Sequence, residues 1–228
     1  MAEFWLGDGN GPMGDVGAFM ASELRVDRAD LVGHIGQLGP GRVLVAIVGA
    51  PGAGKSRLAR EIAESLNTRH PGSAAVLPMD GFHRSNDWLD AQGLRPVKGA
   101  PETFDVEALH ACLVAAKTSE EDLPVPRFDR AADAVVAAGT TLPASAKVVL
   151  VEGNYLLLTR PGWRDLFPLF DLSIRIAVPE STLRARLMKR WADHPEAEAR
   201  RRVEENDLPN GKLLAQENRA ADLVIVAK

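Results

Sequence analysis

A three-layer α/β sandwich, with a mostly parallel central sheet and a helical lid, is the fold this sequence predicts. Three observations lead there. Short apolar, β-branched runs recur at 42–48, 148–151, 172–178 and 223–226, the composition of strands buried on both faces of a sheet. Helical patterns fall between those runs, and that alternation gives parallel strands with helices on both sides. A glycine-rich loop at 49–56 joins the first of these runs to an amphipathic stretch.

Taken in order, residues 7–17 hold five glycines, a proline and two aspartates. We read 1–20 as a flexible tail and 21–228 as the folded unit. From Ser22 to Leu38 the spacing of Leu24, Leu31, Ile35 and Leu38 predicts a helix, stopped by Gly39-Pro40-Gly41. After the glycine loop, Leu58, Ile62 and Leu66 recur every four residues, so a helix follows. Ala74 to Met79 reads as the second strand, and 81–104 has no clear period. Asp105 is placed to cap a helix running to about Lys117. A charged, arginine-rich helical stretch covers about 180–205.

Composition narrows the classes. The 228 residues are 46% hydrophobic and 25% charged, with a net charge of −4. The pI near 5.8 argues against a nucleic-acid binder. Cys112 is the sole cysteine, which excludes an intrachain disulfide and suits a cytoplasmic protein. Beside Leu109 and Leu113 it reads as core filling. No stretch approaches the roughly 20 apolar residues of a membrane span.

The loop Gly49-Ala50-Pro51-Gly52-Ala53-Gly54-Lys55-Ser56 fits the phosphate-binding pattern G-x-x-x-x-G-K-[ST]. Its glycines let successive N–H groups point into one concavity, and the next helix adds its positive end. Lys55 can reach the β- and γ-phosphates, and the Ser56 hydroxyl can ligate Mg²⁺. At an average glycine usage of roughly 7%, a chance match arises in about one chain in a hundred of this length. The nucleotide-binding set is therefore Gly49 to Ser56 together with Arg57.

Other residues point to phosphoryl transfer. The second strand runs into Met79-Asp80-Gly81, where a carboxylate can accept the proton of an attacking hydroxyl. A turn-forming Asp before Gly is the plain alternative. The strand at 148–151 ends in Glu152-Gly153, an acid placed to hold Mg²⁺ with Ser56; a surface acid at a strand end is the alternative. Past Pro179, Leu183, Leu187 and Trp191 share one helix face, while Arg186, Lys189 and Arg190 share another. These cations, with Arg184, read either as a lid over the phosphates or as a solvated charged face. The chain holds no Asn-Lys-x-Asp, the guanine-reading tetrapeptide of GTPase switches.

The order of phosphate loop, Asp80-Gly81-Phe82, Lys98-Gly99, Pro101-Glu102, Phe104-Asp105, Glu152-Gly153 and arginine-rich helix resembles the phosphoribulokinase, uridine kinase and pantothenate kinase group. The likeness spans most of 42–228 and is most specific in 79–105. Within the group the chain most resembles a smaller branch labelled fructose (transport-associated) kinases. The resemblance implies a base at Asp80 and acceptor contacts from His83, Arg84, Lys98 and Phe104. It implies further contacts near Arg127 and Asp129, and places Asn206, Asp207 and Asn210 near the nucleotide or lid. From the residues alone, those last three could equally cap a turn. His83 stands where uridine kinases carry Tyr, and Val125-Pro126-Arg127-Phe128-Asp129 lacks the Tyr-Ser-His of pantothenate kinases.

The expected activity is transfer of the ATP γ-phosphate to a hydroxyl of a small polar metabolite: a sugar such as fructose first, then a nucleoside or pantothenate. Asp80, Lys55, Glu152, Arg186 and Arg190 are the expected catalytic set, with ATP and Mg²⁺ as cofactors. The alternative is a non-kinase ATPase acting as an assembly or regulatory factor. Expected partners are the acceptor and, at most, a second copy in a homodimer, with neither nucleic acid nor membrane.

Overall fold

A computed structural model describes residues 23–227. The tail expected at 1–20 lies outside the described residues. Six parallel strands form the central sheet in the order β1-β8-β7-β2-β6-β3. They are β1 (Leu24–Arg25), β2 (Val43–Val48), β3 (Ala74–Pro78), β6 (Val148–Gly153), β7 (Leu172–Ala177) and β8 (Leu223–Val226).

Alternation along β2 explains the three layers. All six of its residues are buried, and successive side chains point to opposite faces. Leu44, Ala46 and Val48 join a core with Leu109 and Leu113 of α4 (Val106–Thr118), Tyr155 and Trp163. Val45 and Ile47 join a second core with Leu58 and Ile62 of α2 (Lys55–Arg69) and with Leu183 and Leu187 of α5 (Glu180–Arg190). Asp105 caps α4 by accepting from the Ala108 N–H at 3.0 Å, as its position in the sequence predicts.

Three segments differ from the sequence reading, and a fourth, 123–142, has an element where the sequence suggests none. The helix expected over 22–38 is only a 3₁₀ turn, Arg28–Asp30, and α1 (Leu31–Ile35). Leu24 and Arg25 extend the sheet edge instead, since the Leu24 N–H bonds Asp222 O and the Val26 N–H bonds Val224 O, both at 3.0 Å. Pairing with β8 overrides a helical spacing that α1 alone retains. In 81–104 the end of a 3₁₀ turn (Met79–Phe82) is followed by a short helix, α3 (Asn86–Ala91), capped by Ser85, and two further 3₁₀ turns.

The segment 123–142 is an antiparallel hairpin, β4 (Leu123–Asp129) and β5 (Ala134–Leu142), separate from the main sheet. Pro124 and Pro126 in one strand and alanines in the other hide the strand pattern, and a bulge between Val125 and Arg127 accommodates the second proline. The single charged stretch at 180–205 divides as well. After α5 the chain turns through Pro195 into α6 (Glu196–Arg202), a π turn (Val203–Asp207) and α7 (Leu208–Glu217).

Candidate active site

Strand order brings the motifs together. β6 lies between β2 and β3, with Glu152 in register with both Ile47 and Pro78. The phosphate loop, Asp80 and Glu152 thus emerge at the carboxyl ends of three adjacent strands, where open α/β sheets place their sites. Two motif glycines are required by close approach. A Cβ on Gly153 would lie 2.6 Å from the Met79 Cβ, and one on Gly81 would lie 2.8 Å from the Pro126 carbonyl carbon. Asp80 is therefore wedged between β6 and the hairpin.

Within the loop, Gly52 (φ +79°) and Gly54 (φ +98°) take the left-handed conformation that turns the backbone N–H groups inward. Gly52 also faces Leu187, whose Cγ would be 3.2 Å from an added Cβ, so α5 packs directly over the loop. Lys55 is only 9% exposed. Its ammonium donates to Gly49 O (2.9 Å), Ala50 O (3.1 Å) and Asn154 Oδ1 (2.6 Å). Burial lowers its pKa to about 8, against the opposing pull of Glu152 and Asp80. Glu152 is 8% exposed and accepts from the Ser56 hydroxyl at 2.9 Å. Burial raises its carboxyl above the usual range, and Lys55 restrains that rise.

Ser56 and Glu152 offer hard oxygen ligands at one point, the donor type Mg²⁺ takes. Among the described residues no group of three or more His, Cys, Asp or Glu forms a protein-only cage. A cation here would draw its remaining ligands from phosphate oxygens and water, as Mg²⁺ does.

The arginines separate by partner. Arg186 lies near the Gly52 and Ala53 carbonyls, at 3.4 and 3.5 Å. Arg190 is close enough to Lys55 to disfavour its charge. Arg184 is engaged elsewhere, by Glu180 at 2.8 Å and by Glu204. Arg57 is exposed on α2, beside a cleft lined by Arg25, Arg28, Gly54 and Val226.

Among the residues expected to contact the acceptor, His83 bonds the Asp80 carbonyl through Nδ1 at 2.8 Å, and its ring lies 4.0 Å from Phe104 and 4.8 Å from Phe128. Burial holds its pKa below the ordinary value. Phe104, 5% exposed, lies behind it in the core with Tyr155 and Trp163. Arg84 pairs with Asp105 at 2.7 Å and lies over Trp88. Lys98 donates to Asp133 Oδ1 and Asn86 Oδ1, both at 2.7 Å. Arg127 lies 3.7 Å from Asp129, whose carboxylate closes the hairpin turn by accepting from Ala131 and Ala132 N–H.

Sequence reasoning missed Arg130, Asp133, Asn86 and Asn154. Arg130, 67% exposed, pairs with Asp80 at 2.7 Å. Asp133 adopts a left-handed φ of +49° to receive Lys98. The two hairpin residues carry no signal while the hairpin itself is unread. Asn154, immediately after Glu152-Gly153, was within reach of the motif.

Fold and site together define a phosphate-loop nucleotide-binding protein with a carboxylate facing the loop. No family model matches the chain. It is 32% identical over 194 residues to a candidate uridine kinase of Schizosaccharomyces pombe, covering 81% of this chain and 83% of that protein. It is 44% identical over 151 residues to the uncharacterized YggC of Escherichia coli K12, covering 65% of this chain and 62% of that one. A crystal structure of a candidate fructose transport system kinase from Silicibacter sp. TM1040 superimposes with TM-score 0.81 at 42% identity, covering 87% of this chain and 98% of that one. The chain spans about half the length of the pantothenate kinases it matches. It belongs to the P-loop small-molecule kinases of the uridine kinase and pantothenate kinase group.

Proposed function

We propose that this protein transfers the γ-phosphoryl group of ATP to a hydroxyl of a small polar metabolite, with a sugar as the first choice of acceptor. The observation that carries the reading is the convergence of the phosphate loop, Asp80 and Glu152 at the carboxyl ends of three adjacent parallel strands, with Glu152 in register with both Ile47 and Pro78. One acid stands at the metal position beside Ser56, at 2.9 Å, which leaves the other for the acceptor. The name of the Silicibacter protein, as a fructose transport system kinase, supports the sugar. Nucleosides and pantothenate-like acceptors follow.

In this reading the loop N–H groups and Lys55 hold the β- and γ-phosphates. Ser56 and Glu152 would hold Mg²⁺, which would supply charge neutralisation at the transferring group. Arg186 and Arg190 face the same phosphates from α5 and exclude water. Asp80 orients the acceptor hydroxyl and takes its proton as the in-line transfer proceeds. To reach Asp80, the hydroxyl displaces the Arg130 guanidinium. The expected setting is the cytoplasm.

ATP consumption with a panel of sugars, nucleosides and pantothenate tests the proposal. A kinase yields phosphorylated acceptor in equal amount to ADP. Release of free phosphate at one rate whatever is added would refute it in favour of a non-kinase ATPase.

A further inference from the structure

The π turn at Val203–Asp207 ends in two adjacent polar side chains that engage different parts of the molecule. Asp207 accepts from the indole N–H of Trp191, the C-terminal cap of α5, at 2.9 Å. That helix carries Arg186 and Arg190, and Asp207 is also near enough to Arg190 and Lys55 to feel their charges. Asn206 points toward the acceptor loop. Its amide N–H donates to the Lys98 carbonyl at 3.1 Å, while its Oδ1 accepts from Asn210 at 3.1 Å. Both ends of the amide are engaged, so its orientation is fixed.

The loop it holds is itself built for one geometry. Gly99 has φ +105°, and its carbonyl accepts from the Tyr155 hydroxyl at 2.6 Å. Lys98 then reaches Asn86 and Asp133, tying the hairpin that carries Arg130 to the same point. A π turn costs hydrogen-bond geometry relative to an α-helix, and such turns concentrate at functional positions.

We propose that Asn206 is a positioning residue that couples the nucleotide side of the site to the acceptor side. Settling α5 on bound phosphates fixes Trp191, Trp191 fixes Asp207, and the neighbouring Asn206 locks Lys98-Gly99 in its acceptor-ready geometry. This rests on the kinase reading above, but its test needs no acceptor.

The test is amide hydrogen exchange with and without Mg²⁺ and a non-hydrolysable imido analogue of ATP. In the native protein, the analogue should slow exchange in 49–58 and also in 97–100, by fivefold or more. In Asn206→Ala the slowing at 49–58 should remain and that at 97–100 should disappear. Asn206→Asp, which keeps the shape but loses the donor, should behave likewise if the alanine variant folds poorly. Trp191→Phe, which cuts the other half of the link, should give the same loss. Once an acceptor is found, Asn206→Asp should raise its KM about tenfold and leave the KM for ATP within twofold. Slowing at 49–58 without any at 97–100 in the native protein, or its persistence at 97–100 in both Asn206 variants, overturns the coupling. Absence of slowing at 49–58 in the native protein overturns the kinase reading, and the coupling with it.

Discussion

Gly81→Ala isolates the wedge that positions Asp80. Gly81 has no left-handed φ, so the substitution tests space alone. An added Cβ would lie 2.8 Å from the Pro126 carbonyl carbon and closer still to its oxygen. Ordinary carbon contacts are about 3.5–4.0 Å, so β4 and the Asp80 turn must part by about 1 Å. Overpacking of this kind costs about 1–3 kcal/mol, and the upper end applies because both sides are backbone. A loss of about 3 kcal/mol lowers Tm by roughly 6–12 °C in a chain of this size. A 1 Å displacement of the carboxylate costs about 100-fold in turnover, while the loop at 49–56, and hence nucleotide binding, is untouched. The control is Gly33→Ala. It has nothing within 4 Å of the added carbon and lies in α1, so it should gain about 0.5–1 kcal/mol. Calorimetric melting, nucleotide titration and turnover read all three quantities. A Gly81→Ala protein that melts with the native one and turns over normally would refute the wedge.

Three further outcomes follow from the site and its surroundings. Asp80→Asn should bind ATP as before yet lose most transfer, read by titration and product formation; near-native turnover would remove Asp80 from the base role. Burial keeps the folded pKa of His83 below 6.5. As the pH drops from 6.5 toward that lower value, the unfolded chain takes up a proton that the native state does not, so stability falls. Urea denaturation at pH 6.5 and 5.5 should therefore show a smaller acid loss in His83→Gln than in the native protein. The Cys112 thiol, pushed up to about 11 by burial, should resist a thiol reagent at pH 8 until the protein is unfolded.

Much of this molecule was written locally. The glycine loop, the β-branched runs and Asp105 each carry their meaning within ten residues, because strand burial, phosphate cradles and caps are short-range patterns. Glu152 was legible for the same reason, as an acid ending an apolar strand. The hairpin was not. Its strands lack a clean alternation, and it exists because Gly81 and Gly139 admit the close approach of Pro126 and Arg127. With it went Arg130 and Asp133, whose partners Asp80 and Lys98 lie 50 and 35 residues away.

Leu24 shows the converse. Its spacing is helical, but an open edge of β8 offered its backbone better hydrogen bonds. Among the arginines of the 180–205 stretch, sequence established only that several share a helix. Packing decided that Arg184 is engaged by Glu204, 20 residues on, while Arg186 faces the loop. The sequence by itself determined the fold class and nominated the chemical parts of the candidate site. Tertiary structure alone decided which of those parts meet, because such contacts depend on strand order and on glycines whose missing Cβ atoms matter only once a distant segment arrives.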